Sequence, residues 1–278
     1  MANAVASVFS DAKTVESPFL NRIGVQPFRA VLARGLYRAR GRSADRVAAD
    51  LARDGIVVVE DFLAPDDFAA LAREAAEHVA TAEPGYHQVQ GTSDVRHFYL
   101  DPGTPAERPT LAATGGDARL LAHFSAAERR DVGVRDVGRI VEDIHFGDAS
   151  IPDPMTRLHL DTFFHTHKAW IFLHDVGPDE GPFVYVPGSH LLDRVRLGFD
   201  YHDSVGENMR SRLVSDEEVA RRGLARRPTT CRANSLVIAD TCGYHARSVG
   251  ADGATRRALH LIVRGNPFVV RGGRAWRG

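Results

Sequence analysis

The sequence predicts a mainly β fold with flanking helices, centred on an all-β barrel or jelly roll. From Val137 onward, short strand-like runs recur over 137–146, 155–160, 168–174, 182–187, 234–240 and 257–263. Pro, Gly and Asp punctuate these runs, and a closed barrel is the architecture that removes the edges of so many short strands. Helical spacing, by contrast, is concentrated before residue 137 and in one later insertion.

The elements follow in chain order. With 278 residues, 44% of them hydrophobic, the chain can bury a sizeable core. Residues 1–45 read as an N-terminal accessory segment, and 46–278 as one domain with a helical insertion at about 191–230. Within the accessory segment, Phe28 to Leu36 reads as a short helix with Arg29, Arg34 and Arg38 on its polar side. Gly55-Ile56-Val57-Val58-Val59 is a buried strand by its β-branched run. Pro65 then opens a helix in which Phe68, Leu71, Ala72, Ala75, Ala76 and Val79 share one face. Residues 83–136 are rich in Pro, Gly and charge, and read as loops with helical pieces near 106–113 and 117–130. In the insertion, Ser215 with Glu218 three residues on forms a capping box, and Gly223 is a helix stop.

Composition excludes several classes. The formal net charge is −1, from 35 basic and 36 acidic residues, so no bulk polarity points to nucleic acid or an anionic membrane. No apolar run reaches the roughly 18 residues of a membrane span, and the start lacks the pattern of a signal peptide. Two cysteines, Cys231 and Cys242, form no CxxC, which predicts a reducing, cytoplasmic setting.

The chemistry-bearing residues are few. In His159-Leu160-Asp161, positions i and i+2 of a strand point to one side, so both side chains can reach one ion. His245 ends a strongly buried run, 84 residues after Asp161. Two imidazoles and a carboxylate are the donor set that holds non-heme iron(II) with positions left open. Arg256 follows His245 by eleven residues and opens a strand, where a buried guanidinium could grip a carboxylate bidentately or pair with an internal acid. Lys168 begins the strand after the H-x-D turn, as a second cation for a co-substrate or as an exposed strand end. Arg157, on the His159 side, and His165, in the turn, are the candidates for substrate contact. His190 reads as a turn-bracing histidine, and Ser189 lacks the surroundings of a nucleophile. Two other readings remain at this stage. A zinc hydrolase could use the same His-Asp-His set, although no HExxH or cysteine ligand set occurs, and a non-catalytic barrel could bind metal or a small acid.

Residues from about 45 to 268 resemble the phytanoyl-CoA dioxygenase family of iron(II)/2-oxoglutarate oxygenases. The resemblance rests on the opening strand and helix, H-x-D at 159–161, Gly181-Pro182-Phe183-Val184-Tyr185-Val186-Pro187-Gly188-Ser189-His190, His245 and Arg256. It implies a double-stranded β-helix, jelly-roll and cupin-like, with His159, Asp161 and His245 as ligands of Fe(II). It implies that Arg256 holds the distal carboxylate of 2-oxoglutarate and that O2 is the oxidant. Related halogenases carry Gly or Ala where this chain has Asp161, so the resemblance favours hydroxylation of a small molecule over halogenation. Substrates of the family include acyl thioesters, carrier-bound amino acids and natural products. A tailoring role in specialised metabolism is the expectation here. Oligomeric state is not readable.

Overall fold

The structure, a computed structural model, describes residues 15–41, 45–100, 108–206, 212–263 and 265–268. Among the described residues, a short helix α1 (Pro18–Arg22) and a longer α2 (Val25–Ala39) come first, followed by α3 (Arg46–Asp54) and β1 (Ile56–Val59). The Asp45 carboxylate caps α3 by accepting from the Val47 N–H. Gly55 ends α3 at φ 79°, and a Cβ there would strike both the Tyr185 hydroxyl and the His190 ring. The glycine is thus required twice, by its left-handed backbone and by close packing. Next come α4 (Pro65–Thr81), β2 (Tyr86–Gln90), β3 (Ser93–Tyr99), α5 (Pro109–Thr114), α6 (Ala118–Glu128) and β4 (Val137–Phe146). The second half supplies β5 (His167–Phe172), β6 (Phe183–Tyr185), α7 (Arg194–Val205), α8 (Asp216–Arg221), β7 (Arg227–Thr229), β8 (Leu236–Asp240), β9 (His245–Arg247) and β10 (Thr255–Val263).

Among the described residues, ten strands form two antiparallel sheets. The larger runs β1-β8-β5-β10-β4-β3-β2 and the smaller β7-β6-β9. Three apolar layers follow from the alternation along each strand. Leu236, Ile238, Ala169, Ile171, Leu259 and Leu261 point outward from the large sheet into a core shared with α4, α5 and α6. Trp170, Phe172, Val237, Ala239 and Ala258, on the other face, meet Phe183 and Tyr185 of the small sheet inside the barrel. Leu158, Leu160, Val184, Tyr244 and Ala246 form the third layer, packed on Val219 of α8 and Phe199 of α7.

Three expectations need correction. Residues 83–136 contain β2 and β3 as well as helices, and β3 pairs with β4 over seven residues. The stretch 155–160 is no ladder strand; Pro154–Thr156 is a 3-10 turn, and His159 makes isolated bridges to His245 and Leu213. Helix α2 is inverted: Arg29 and Arg34 are buried, while Phe28, Val31, Leu32 and Leu36 are exposed. Small Ala30 and Ala33 let α2 lie close on Phe163 and Phe164. Arg29 stacks on the Phe163 ring at 4.3 Å and donates to Gln26 Oε1 at 2.8 Å.

Candidate active site

Outward burial of their neighbours aims the two candidate histidines inward. Leu158 and Leu160 flank His159, and Tyr244 and Ala246 flank His245; all four lie in the outer layer, so both imidazoles turn into the barrel. Backbone bonds fix the approach. His159 and His245 exchange N–H to carbonyl bonds of 2.9 Å, and the Asp161 N–H reaches the Thr241 carbonyl at 2.9 Å. Donor atoms of His159, Asp161 and His245 then lie within 4.8 Å of one another.

Each imidazole is oriented by a carbonyl. His159 Nδ1 lies 3.0 Å from the Arg157 carbonyl, and His245 Nδ1 lies 3.0 Å from that of Gly243. With Nδ1–H donating, both Nε2 lone pairs face the centre, the arrangement that outer hydrogen bonds give to metal-bound histidines. Burial pushes His245 down to about 4, so its ring is neutral near pH 7. Burial opposes the charge of Asp161, but Lys168 and the two imidazoles hold its carboxyl below the usual range. Lys168 Nζ forms an ion pair with Asp161 Oδ2 at 2.7 Å, which leaves Oδ1 on the side of His245. Two imidazoles and an ionised carboxylate whose Oδ1 lies 3.8 Å from His245 Nε2 fit iron(II).

Arg256 lies deeper in the barrel, where the carboxylate it meets is Glu142, 3.1 Å away; its other amino group donates to the Gly181 carbonyl. Arg256 Nε has no partner. Burial works against the charge of Glu142, and His97, Arg256 and His260 overcome it. His260 stacks on Trp170 at 4.9 Å and keeps Nδ1 3.7 Å from Glu142. Asp161, Lys168, His260, Glu142 and Arg256 thus form a file of charged and polar groups along the inner wall. Such a file suits a small ligand with charges at both ends.

The chain's comparison with family models decides its kinship. The model for phytanoyl-CoA dioxygenase matches residues 51–246, which include all three candidate ligands. The chain belongs to the phytanoyl-CoA dioxygenase family. It is therefore an enzyme of the iron(II)- and 2-oxoglutarate-dependent oxygenase type. Solved structures agree on the fold. The epimerase SnoN from nogalamycin biosynthesis, in complex with Fe3+, alpha ketoglutarate and nogalamycin RO, superposes with TM-score 0.57 at 19% identity, over 78% of this chain and 81% of that one. The alpha ketoglutarate-dependent carbocyclase SnoK, also from nogalamycin biosynthesis, gives TM-score 0.50 at 16% identity, over 80% of this chain and 86% of that one. No curated protein matches the chain by sequence. Among the described residues, no helix is long and apolar enough to cross a membrane.

The remaining candidates divide. Lys168, half expected as an exposed strand end, is brought to the Asp161 carboxylate. Arg157 is exposed and makes no ion pair among the described residues, and its carbonyl orients His159. His165 is a correction. It lies outside the barrel, bonded to Asp240 and Arg34, on the side to which Ala169, Ile171 and Ile238 of β5 and β8 also point. Glu142, His97 and His260 were missed. Glu142 sits on β4 opposite Ala258, and that register would have marked it as inward-facing once β4 and β10 were paired.

Proposed function

We propose that this family member oxidises an unactivated C–H bond of a small molecule, most simply by hydroxylation, with release of succinate and CO2, in natural-product metabolism. The observation that carries the reading is the inward trio His159, Asp161 and His245, whose donor atoms lie within 4.8 Å. When bound, iron with 2-oxoglutarate and O2 supplies the oxidising power. The chain's own residues supply position. The Arg157 and Gly243 carbonyls keep both Nε2 atoms turned inward. Arg256 and Lys168 are the two interior cations available to a dicarboxylate, Arg256 exchanging Glu142 for the ligand's distal end. Trp170 and Phe183, with ring centroids 4.8 Å apart, keep water from the inner wall. Arg157, exposed two residues before His159, is placed to meet a substrate that enters from the ligand side.

Hydrogen removal also serves epimerisation and ring closure, the reactions named for SnoN and SnoK, so product analysis decides among them. The first test is an anaerobic titration of metal-free protein with iron(II) and then 2-oxoglutarate, followed by visible absorption. A weak band that requires both and disappears in Asp161→Ala is the expected result. Iron binding without the band would sink the co-substrate reading and favour a hydrolase or a binding barrel.

A further inference from the structure

Behind the ligand turn, outside the barrel, a cleft of about 700 Å³ opens between α2, α3, α6 and the end of the large sheet. Arg34, Arg38, Arg129, Tyr37, His165 and His190 line it. Arg34 is the anomaly. It is 4% exposed, and its guanidinium lies 3.0 and 2.6 Å from the two nitrogens of His165 and 3.2 Å from Cys242 Sγ. Both partners are neutral. Burial, then Arg34 itself, pushes His165 down to about 3, and burial pushes the Cys242 thiol up. Neither Arg34, Arg38 nor Arg129 has a carboxylate within ion-pair reach, whereas Arg53 on the same rim is held by Asp50 and Asp54. Asp240 bonds the same His165 Nδ1 that Arg34 contacts but makes no ion pair with Arg34, and it is further engaged by the Thr166 and Cys242 N–H groups, each 3.2 Å away. A buried guanidinium with only neutral partners is costly unless an anion joins it.

The geometry points to an oxyanion site: Arg34, with Arg38 and Arg129 beside it, takes the phosphate or carboxylate group of a small-molecule ligand in this outer cleft. A cation is the competing occupant, since His165, Asp240 and Cys242 bring metal-ligand atoms within 4.8 Å. Arg34 stands against it, because the guanidinium covers two of those three donors and a divalent ion would sit beside a fixed positive charge. The volume exceeds what a bare inorganic ion fills and falls within the range of small-ligand pockets. The site also touches the catalytic turn. Thr241, between Asp240 and Cys242, accepts the Asp161 N–H, and His165 follows Asp161 by four residues. An anion that draws Arg34 from His165 would therefore bear on the turn that carries Asp161, which makes the site regulatory in position.

This inference does not depend on the reaction proposed above. The test is calorimetric titration of the full chain with inorganic phosphate, pyrophosphate and citrate, at ionic strength held constant with chloride. Saturable binding of at least one probe is expected, weakened tenfold or more in Arg34→Gln and unchanged in Arg256→Gln, which removes an interior cation. Arg129→Gln, on the cleft rim, should weaken it at least threefold and serves if Arg34→Gln does not fold. Preference for pyrophosphate over citrate would assign the ligand as a phosphoryl compound, and the reverse as a carboxylate. Binding of none of the three would overturn the inference. So would binding that survives Arg34→Gln but is lost in Arg256→Gln, or stoichiometric zinc uptake abolished by Cys242→Ser.

Discussion

His159, Asp161 and His245 face into the barrel, while His165, Asp240 and Cys242 lie on its outer side, and in each trio the donor atoms come within 4.8 Å. Residue types alone would rank them alike. They differ in what occupies the other atoms. Inside, carbonyls take the Nδ1 protons and leave Nε2 free, and Asp161, paired to Lys168 through Oδ2, turns Oδ1 toward His245 Nε2 at 3.8 Å. Outside, Arg34 covers His165 and Cys242, and Asp240 is closed by His165 and two backbone N–H groups. A metal site is recognised by its unclaimed lone pairs, not by its inventory of ligands.

The sharpest way to break this comparison is to remove one acid from each trio. Asp161→Ala should abolish turnover and the iron/2-oxoglutarate band, beyond the roughly 100-fold that loss of an outer partner costs, with little change in melting temperature. Asp240→Asn should do the reverse. It weakens the acceptor of His165 and of the Thr166 and Cys242 N–H groups, which costs about 1–3 kcal/mol of stability, while the band survives in the folded fraction. Equal loss of the band in both variants would erase the distinction.

A subtler change tests the inner wall. Glu142→Gln removes the ion partner of Arg256. The ligand-free protein should melt several degrees lower, yet 2-oxoglutarate should bind several-fold tighter and raise the melting temperature more than in wild type. Weaker 2-oxoglutarate binding in this variant would argue that Arg256 belongs to Glu142 alone.

Acid should loosen both sides. Burial pushes His190 down to about 4 and His260 down to about 3, whereas an unfolded chain protonates imidazole near pH 6.5. Their contribution is complete above about pH 6.5 and is lost as pH falls toward those values, on the order of a few kcal/mol in all. His167, raised against its burial by Asp240 and Glu128, acts oppositely, its share present below pH 6.5 and lost as pH rises through its raised value. Melting temperatures between pH 7 and pH 5 should fall, and a flat profile would contradict the buried neutral rings. The smallest effect belongs to Arg157→Ala. Since only its carbonyl orients His159, stability should change by less than about 0.5 kcal/mol and the band should persist.

What the sequence made legible was periodic and local. Strands β4, β5, β8 and β10 carry strong apolar runs, and their positions were read to within a few residues. The ligand trio was readable because H-x-D and the distal histidine sit beside apolar residues that must turn the other way. Strand β2, Tyr-His-Gln-Val-Gln, lies at a sheet edge with both faces largely wet, so it has no alternation to read. Helix α2 was read inside out, because arginines buried by stacking and neutral partners look like a solvated face. The Arg34 contacts join positions 131 and 208 residues apart, a distance no local pattern spans.

Strand β10 is hydrogen-bonded along one side to β4 over nine residues and on the other to β5 over six. Its amides should be among the last to exchange with deuterium, for release needs two ladders to open together. Arg256 and His260 ride on that strand, so the inner wall beside the candidate site rests on one of the most firmly paired parts of the sheet. Directed evolution of this enzyme toward new substrates should therefore accumulate changes in the connecting segments and helices, and leave the face of β10 untouched.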